Sequence, residues 1–405
     1  MTVDTTVKAQ TRTELRPGWR VVRFGDVVRN VDVNERNPRE AGIERYVGLD
    51  HLDPESLHIK RWGLVEEGTT FTRKFTPGQV LFGKRRAYQR KAAVAAFDGI
   101  CSGDILVFEP SNGELIPELL PFLVQSDGFF NHALGTSAGS LSPRTKWKDL
   151  AAYEFALPPR DEQRRIAEIL WAADEAILKA KGVVQALGQY RSIFFETTIE
   201  QGLKNGWSQV AFGSLWKASP QSGYSAVPST HETGHYVLAL SALTPRGYQE
   251  GELKSVETSP QITAARLTKG DLLISRSNTL ELVGLAGIFD EDREDVSFPD
   301  TMMLVRVDEA RIDKPFLMHF LLSRTGRSQM QRIAAGTSAS MKKINRVGLS
   351  SIKIPLPELT VQKNVTELIR KCSSSMEYAE AKLTQTRTLY HALREGFSRD
   401  GFKNI

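Results

Sequence analysis

The sequence predicts an α+β protein in which two globular domains alternate with two long helices. Three observations predict this class. The chain has 405 residues, more than one ordinary domain holds. Its two halves repeat in the same order at a spacing of about 190 to 200 residues. Each half ends in a long apolar heptad pattern, which is typical of a helix that pairs with another helix.

The composition is that of a globular protein, with 40% hydrophobic and 25% charged residues. The formal net charge of +5 suits a polyanionic partner but is also common in proteins without one. The two cysteines, Cys101 and Cys372, follow no metal-ligand or disulfide spacing. Because the sequence has no signal-peptide core and no apolar run long enough to span a membrane, we expect a cytoplasmic protein without membrane contact.

The duplication is carried by matches that keep their order along the chain. The matching segments are Trp19, Phe24 and Gly25 with Trp207, Phe212 and Gly213; Tyr46 with Tyr236; the run from Pro77 with the run from Lys269; Gly135-Thr136-Ser137 with Gly336-Thr337-Ser338; and Leu157, Pro158 and Gln163 with Leu356, Pro357 and Gln362. Small insertions between ordered matches are what duplicated domains with variable loops produce.

The repeat divides the chain into five parts. We expect a polar tail over 1–18, a first globular domain over 19–157, a central helical region over 158–205, a second globular domain over 206–356 and a C-terminal helical region over 357–405. Short β-branched and apolar runs within each globular domain predict strands mixed with one or two helices.

Each helical region starts at a proline, which the first turn of a helix tolerates. The first predicted seam is Ile166, Ile169, Ala173, Ala176, Ala180, Val183, Leu187, Tyr190, Phe194 and Thr197, and the second is Val365, Ile369, Cys372, Met376, Ala379, Leu383, Thr386, Tyr390, Leu393 and Phe397. A helix of about forty residues rises roughly 60 Å and cannot bury such a stripe alone. We therefore expect the two helices to form an antiparallel coiled coil that separates the globular domains.

The sequence predicts no catalytic or metal-binding residue. The run from His231 to His235 matches the H-E-x-x-H zinc motif, but that motif works only on a helix. Here Pro228 precedes it, Gly234 lies inside it and a strand-like run follows, so a polar loop is the better interpretation. Neither a phosphate-binding glycine loop nor a methyl-donor glycine loop is present in the sequence.

Two kinds of segment in each half are suited to contact with nucleic acid. The first is a basic run after a predicted strand, in which cations alternate with side chains that can bond base edges or stack. Its members are Lys84, Arg85, Arg86, Tyr88, Gln89, Arg90 and Lys91 in the first half, and Arg276, Ser277 and Asn278 at the matching position of the second. A solvated basic hairpin tip is the alternative interpretation of the first run.

The second kind is the Gly-Thr-Ser loop with the cations that follow it. Backbone amides, hydroxyls and a few cations suit phosphate oxygens, although a loop that caps the following strand is the alternative. The candidate residues are Thr136, Ser137, Arg144 and Lys146, and then Thr337, Ser338, Lys342 and Lys343.

Taken in order, these motifs give a sequence that resembles the specificity subunits of type I restriction-modification systems. The resemblance rests on the Trp-x-x-x-x-Phe-Gly openings at Trp19 and Trp207, the Gly-Thr-Ser loops and the helix starts at Gln163 and Gln362. It implies two tandem α/β target recognition domains, each of which reads one half of a split double-stranded DNA site. It also implies that the antiparallel helices space these domains and dock the modification subunits.

The resemblance further implies that the chain binds no cofactor itself. S-adenosylmethionine would belong to the modification subunits, of which two are expected, and ATP with Mg would belong to restriction subunits, if these are present. Two other classes stay open at this point. One is a self-sufficient DNA enzyme, and the other is a structural coiled-coil adaptor whose globular heads bind protein.

Overall fold

A computed structural model describes residues 15–336 and 341–399, with side chains as far as Gly396, as two compact units. The first unit takes in the described residues up to Lys181 together with those from Ala381 onward, and the second is Gly182–Glu380. Most of the predicted polar tail, as well as Thr337 and Ser338, lies outside the described residues.

The first unit mixes short strands with short helices and contains the first part of one long helix and the last part of another. Its strands are β1 (Arg20–Arg23), β2 (Val28–Asn30), β3 (Arg45–Val47), β4 (Gly63–Leu64), β5 (Arg73–Phe75), β6 (Val80–Gly83), β7 (Ala92–Val94), β8 (Gly99–Cys101), β9 (Ile105–Pro110) and β10 (Glu154–Leu157). Its helices are α1 (Phe24–Val27), α2 (Leu120–Val124), α3 (Asp127–Gly135), α4 (Trp147–Ala151) and α5 (Arg160–Lys204).

These strands form two four-stranded sheets, in the orders β2-β9-β6-β7 and β4-β3-β8-β5, and a separate pair, β1-β10. The central strand β6 is buried along its whole length, as its apolar sequence VLFG favours. Phe82 on β6 stacks on Phe108 of β9 with ring centroids 5.7 Å apart, and Phe129 of α3 covers both rings. This aromatic core fixes the end of β6, from which the predicted basic run leaves.

The second unit repeats this architecture. Its strands are β11 (Ser208–Ala211), β12 (Gln221–Ser222), β13 (Tyr236–Leu238), β14 (Leu243–Thr244), β15 (Gly247–Tyr248), β16 (Leu253–Ser255), β17 (Leu272–Ser275), β18 (Ser277–Asn278), β19 (Ala286–Ile288), β20 (Val296–Ser297), β21 (Met302–Val305), β22 (Lys342–Lys343) and β23 (Lys353–Leu356). Its helices are α6 (Pro260–Ala264), α7 (Lys314–Leu322), α8 (Arg324–Ile333), α9 (Arg346–Ser351) and α10 (Leu359–Arg399).

The sheet order β12-β21-β17-β19 matches β2-β9-β6-β7 strand for strand. In both units one further sheet contains a parallel pair, β3 with β8 and β13 with β20. The opening Trp-x-x-x-x-Phe-Gly segments also pair alike, since β1 is antiparallel to β10 and β11 is antiparallel to β23. The duplication predicted from the sequence is therefore present in the strand pairing.

A buried glutamine at the start of each long helix is part of the same repeat. The Gln163 amide accepts a hydrogen bond from Ile116 N at 2.9 Å and donates to Glu114 O and Pro158 O at 2.8 and 2.9 Å. Gln163 is only 1% exposed. A buried amide with three hydrogen bonds is a structural clamp, because each partner would otherwise be an unsatisfied buried group.

The second unit repeats this clamp with different neighbours. Gln362, which is fully buried, accepts from Asp313 N at 2.8 Å and donates to Arg311 O and Pro357 O at 3.1 and 2.8 Å. The Leu-Pro-(x)n-Gln pattern therefore marks the joint between globular part and helix.

The long helices pair within each unit. In the first unit, Ile166, Leu170 and Ile177 of α5 share one apolar core with Leu383 and Tyr390 of α10.

In the second unit, Phe195 and Ile199 share a core with Val365 and Ile369. The Sγ of Cys372 lies 3.6 Å from Leu187 O in the same unit. Later residues of α5 therefore face earlier residues of α10, which is the antiparallel pairing that the heptad patterns predict.

The predicted seam of α5 is wrong in half of its positions. Ile169, Val183 and Tyr190 are 45%, 50% and 62% exposed, and Ala176 and Thr197 are exposed as well. The buried face instead steps from Ile166 to Leu170 and Ile177. Ile169 and Leu170 stand three and four positions after Ile166, and both are apolar, so the sequence alone does not decide which of them is buried. Packing against the globular core selects Leu170 and the residues on its face of the helix. The described part of the α10 seam agrees with the prediction, since it is buried or half-buried throughout.

Candidate nucleic-acid interface

In the first unit the fold brings the basic run and the segment after the Gly-Thr-Ser loop together. Lys84 N donates to Asp104 O at 2.9 Å, and Thr145 N donates to Lys84 O at 3.0 Å. Arg85 and Arg144 form an antiparallel bridge beside these bonds. We call Lys84–Lys91 together with 142–146 the first contact surface. Two segments more than fifty residues apart in sequence thus form one surface at the end of β6.

The second unit builds the corresponding surface with the same backbone bonds. Arg276 N donates to Thr301 O at 2.8 Å, and Ile344 N donates to Arg276 O at 2.9 Å. Strand β18 pairs with β22, so that Ser277 lies opposite Lys343 and Asn278 opposite Lys342. We call Arg276–Asn278 with Lys342–Lys343 the second contact surface. Both segments of each surface are predicted from the sequence, but no sequence signal places them side by side.

Asp104 controls the charge of the first contact surface. Its carboxylate accepts a hydrogen bond from Arg144 Nε at 2.9 Å and lies 3.4 Å from Arg85 Nη1. The Arg144 hydrogen bond lowers the Asp104 pKa against the opposing effect of burial, and the same bond raises the Arg144 pKa. This acid therefore stays ionised and neutralises part of the basic surface.

The other cations of the first basic run are mostly held by intramolecular contacts. Arg86 donates to Ser142 Oγ at 3.3 Å, and Lys91 Nζ donates to Leu49 O at 2.6 Å. Burial is the main reason that the pKa of Lys84 is lowered. Arg90 forms ion pairs with Glu55 and Asp127. Of the uncharged side chains in the run, Gln89 is half-buried, whereas Tyr88 has 56% of its surface exposed.

The Thr and Ser hydroxyls of the first Gly-Thr-Ser loop bond to the end of α3. Thr136 Oγ1 donates to His132 O at 2.9 Å, and Ser137 Oγ donates to Ala133 O at 2.7 Å. They therefore cap the preceding helix, rather than binding a ligand or capping the following strand. Of the predicted contact residues after the loop, Arg144 and Lys146 are exposed.

The second contact surface consists mainly of polar groups and carries fewer internal ion pairs than the first contact surface. Arg276 Nη1 donates to Ser222 Oγ at 3.3 Å, and Lys342 Nζ donates to Gly336 O at 2.6 Å. Ser277 is 5% exposed and so contributes backbone rather than side chain, whereas Asn278 is half-buried and Lys343 is exposed.

Two features of these surfaces were not predicted from the sequence. One is Asp104, which stands in the turn between β8 and β9 and carries no local signal of its contact with the basic run. The other is α8, whose sequence RTGRSQMQRI contains three arginines and no acid. Its C-terminal end lies next to the second contact surface, since Ala335 and Lys343 exchange backbone bonds of 2.9 and 2.8 Å. The acid-free composition of α8 could have revealed it.

The motif from His231 to His235 lies in a loop before β13, as predicted. His231 Nδ1 lies 3.1 Å from Ser229 Oγ, and its Nε2 lies 3.5 Å from Glu257. Over residues 15–336 and 341–399, no three His, Cys, Asp or Glu side chains are grouped so as to hold a metal. In the same part of the chain, no helix has the length and apolar character needed to cross a membrane.

Comparison with known proteins finds relatives for part of the chain. No protein-family model matches. The chain is 28% identical over 169 residues to the type I restriction enzyme EcoDI specificity subunit of Escherichia coli, a match that covers 38% of this chain and 36% of that protein. It is 24% identical over 151 residues to the putative type I restriction enzyme MjaX specificity subunit of Methanocaldococcus jannaschii, covering 37% and 35%. The matches thus span about a third of these relatives.

Solved structures share the fold over nearly the whole chain. A chain from a study of complex assembly and conformational transition of the type I R-M system matches with a TM-score of 0.58 and 19% identity, covering 96% of this chain and 99% of that one. The type I restriction-modification S subunit from M. genitalium matches with a TM-score of 0.60 and 12% identity, covering 97% and 98%. The predicted α+β fold class with two long antiparallel helices is therefore confirmed.

Proposed function

Because this chain is similar to the specificity subunits of type I restriction enzymes, we propose that it is the DNA-recognition subunit of such a system. Each unit reads one half of a split site in double-stranded DNA, and the chain performs no bond-breaking step itself. One observation carries the proposal. Each unit joins two sequence-distant polar segments into a contact surface through the same backbone bonds, while the side chains differ between the units. A shared backbone arrangement that carries different side chains in the two units is suited to reading two different half-sites.

The residues of the two surfaces divide by the contacts they can make. Exposed Arg144, Lys146 and Lys343 are suited to phosphate oxygens, which supply affinity but no sequence information. Arg276 and Asn278 can bond base edges, since Arg matches guanine and Asn matches adenine in the major groove. The first contact surface would read its half-site with Tyr88, Gln89 and Arg85.

The long helices serve as spacer and docking element in this proposal. Large apolar side chains remain exposed along both helices: Ile169, Val183, Tyr190 and Ile193 on α5, and Leu368, Tyr378 and Leu389 on α10. Such residues support docking of modification subunits, of which we expect two. Those subunits would supply S-adenosylmethionine and methylate each half-site, and restriction subunits, if present, would supply ATP and Mg. The complex would act on DNA in the cytoplasm.

The proposal is tested by co-expressing the chain with its modification subunit in a host without DNA methylation and sequencing the modified bases. The expected result is methylation at a motif of two defined halves with an undefined gap between them. Methylation at one undivided motif would rule out two readers. Methylation by the chain alone would show a self-sufficient enzyme, and a complex without salt-sensitive DNA binding would show a structural adaptor.

A further inference from the structure

Backbone strain is concentrated in the first basic run. Among the described residues, three that are not glycine have left-handed φ angles: Glu55 at 54°, Arg86 at 54° and Arg90 at 51°. Arg86 and Arg90 flank the single turn Ala87–Gln89 on both sides. The third joins them, because Glu55 N donates to Arg90 O at 3.0 Å. Strained non-glycine residues persist only where the surroundings enforce them, and they cluster at functional sites.

The surroundings hold this turn from both sides. Arg86 N donates to Pro143 O at 2.8 Å. Arg90 forms ion pairs with Glu55 at 3.0 Å and Asp127 at 2.7 Å, and its guanidinium lies 4.7 Å from the ring centroid of Phe130. Ala87 is buried, with 1% exposed. The turn is therefore a rigid element rather than a solvated hairpin tip.

The last helix of the chain takes part in this support. Asp127, which binds Arg90, also lies 4.0 Å from Arg394 Nη2, and its backbone N donates to the Glu395 carboxylate at 3.0 Å. Arg394 is 2% exposed and also lies over the Tyr390 ring. The turn is thus connected to the packed end of α10 within the first unit.

The one large side chain that this rigid turn exposes is Tyr88. Its exposure of 56% contrasts with the buried or half-buried state of every other residue in Lys84–Lys91. The matching segment of the second unit has no aromatic residue and forms a strand pair instead. A rigid aromatic ring with few rotatable bonds loses little conformational entropy on binding, and in the major groove of duplex DNA the C5-methyl group of thymine offers it an apolar contact that distinguishes thymine from the other bases.

We propose that Tyr88 is a specificity-determining residue whose ring packs against a thymine methyl group in the half-site read by the first unit. This inference rests on the function proposed above and narrows it. The strained turn holds the ring out of the protein before DNA arrives, so that little ordering is left to binding. The ring, rather than the hydroxyl, makes the contact.

The test compares Tyr88→Ala and Tyr88→Phe in the complex with its modification subunits. Trp62→Ala is the matched control, since Trp62 is an exposed aromatic residue of the first unit, at 40%, that lies outside the first contact surface. The readouts are affinity for cognate duplex and the methylated motif obtained by sequencing. We expect Tyr88→Ala to weaken cognate binding about ten-fold, as loss of a good contact to a base edge does. It should also relax the preference for thymine at one position in one half of the motif only. Tyr88→Phe and Trp62→Ala should retain the motif and the affinity.

The outcomes separate the two proposals. An unchanged motif with affinity within two-fold for Tyr88→Ala would overturn the role of Tyr88 and leave the proposed function intact. A Tyr88→Phe variant as impaired as Tyr88→Ala would show that the hydroxyl is the reader and would also overturn the inference. Absence of a split motif for the unmodified complex would instead refute the proposed function.

Discussion

Replacing Asp104 by asparagine should strengthen binding to non-cognate DNA. The substitution keeps the size of the side chain but removes the one carboxylate that pairs with both Arg144, at 2.9 Å, and Arg85, at 3.4 Å. Both guanidinium groups lie on the first contact surface, where Asp104 offsets one of their two positive charges. Because these pairs are partly exposed, their loss should cost little stability.

The size of the effect follows from counterion release. Each phosphate contact adds about 0.9 to the slope of log affinity against log salt concentration. If Asp104→Asn frees one guanidinium for one phosphate, affinity should rise about 15-fold at 50 mM salt and about four-fold at 200 mM salt. If both guanidinium groups are freed, the slope should steepen by nearly two.

The assay is fluorescence anisotropy of a non-cognate duplex with the complex, titrated at several salt concentrations. Asp161→Asn is the matched control, since Asp161 also pairs with an arginine, Arg164 at 2.7 Å, but stands at the start of α5. It changes the net charge equally and should leave the slope unchanged. An unchanged slope for Asp104→Asn would refute the conclusion that Arg144 lies within reach of a DNA phosphate.

Three further predictions concern the stability of the protein. Gln362→Ala should lower the free energy of unfolding in urea by about 3 kcal/mol or more, because it leaves Asp313 N, Arg311 O and Pro357 O without their buried partner; a loss below about 1 kcal/mol would contradict the clamp. Arg86→Gly should leave stability unchanged or raise it by up to about 1 kcal/mol, since glycine relieves the left-handed φ of 54° at the loss of one bond to Ser142, whereas Ala87→Gly as control should destabilise. Burial, together with the nearby charge of Arg191, lowers the pKa of His319 to about 4, so the unfolded chain binds more protons than the folded chain at moderately acid pH. The free energy of unfolding should therefore be unaffected by His319 above about pH 6.5 and should fall as the pH is lowered from there to about 4. His319→Gln should flatten that part of the pH profile measured by urea unfolding.

The sequence predicted the features that depend on the order of repeated motifs and on the spacing of apolar residues. The duplicated motifs required two similar units, and the α10 heptad from Val365 to Leu393 matches the buried face in the structure. Both helix starts follow their prolines, at Arg160 and Leu359. These features are local or repeated, so that a single sequence contains the whole signal.

What the sequence could not supply depends on contacts between distant segments. Ile169 and Leu170 are equally apolar, and only the packed core decides that Leu170 is buried. Likewise, the sequence from Lys84 to Lys91 indicates an unpaired positive charge, whereas in the structure Asp104, Asp127 and Glu55 pair with arginines of this run. The strain at Arg86 and Arg90 is also invisible in sequence, because arginine carries no preference for a left-handed backbone.

The central claim is that each unit reads its own half of one split site, and one pair of variants tests it most directly. Arg85→Ala with Gln89→Ala removes side chains proposed to read bases from the first contact surface, and Arg276→Ala with Asn278→Ala does the same for the second. Sequencing of methylated bases from each complex should show degeneracy in one half of the motif for the first variant and in the other half for the second. If both variants degrade the same half, or both halves equally, the two units do not read separately and the account is wrong.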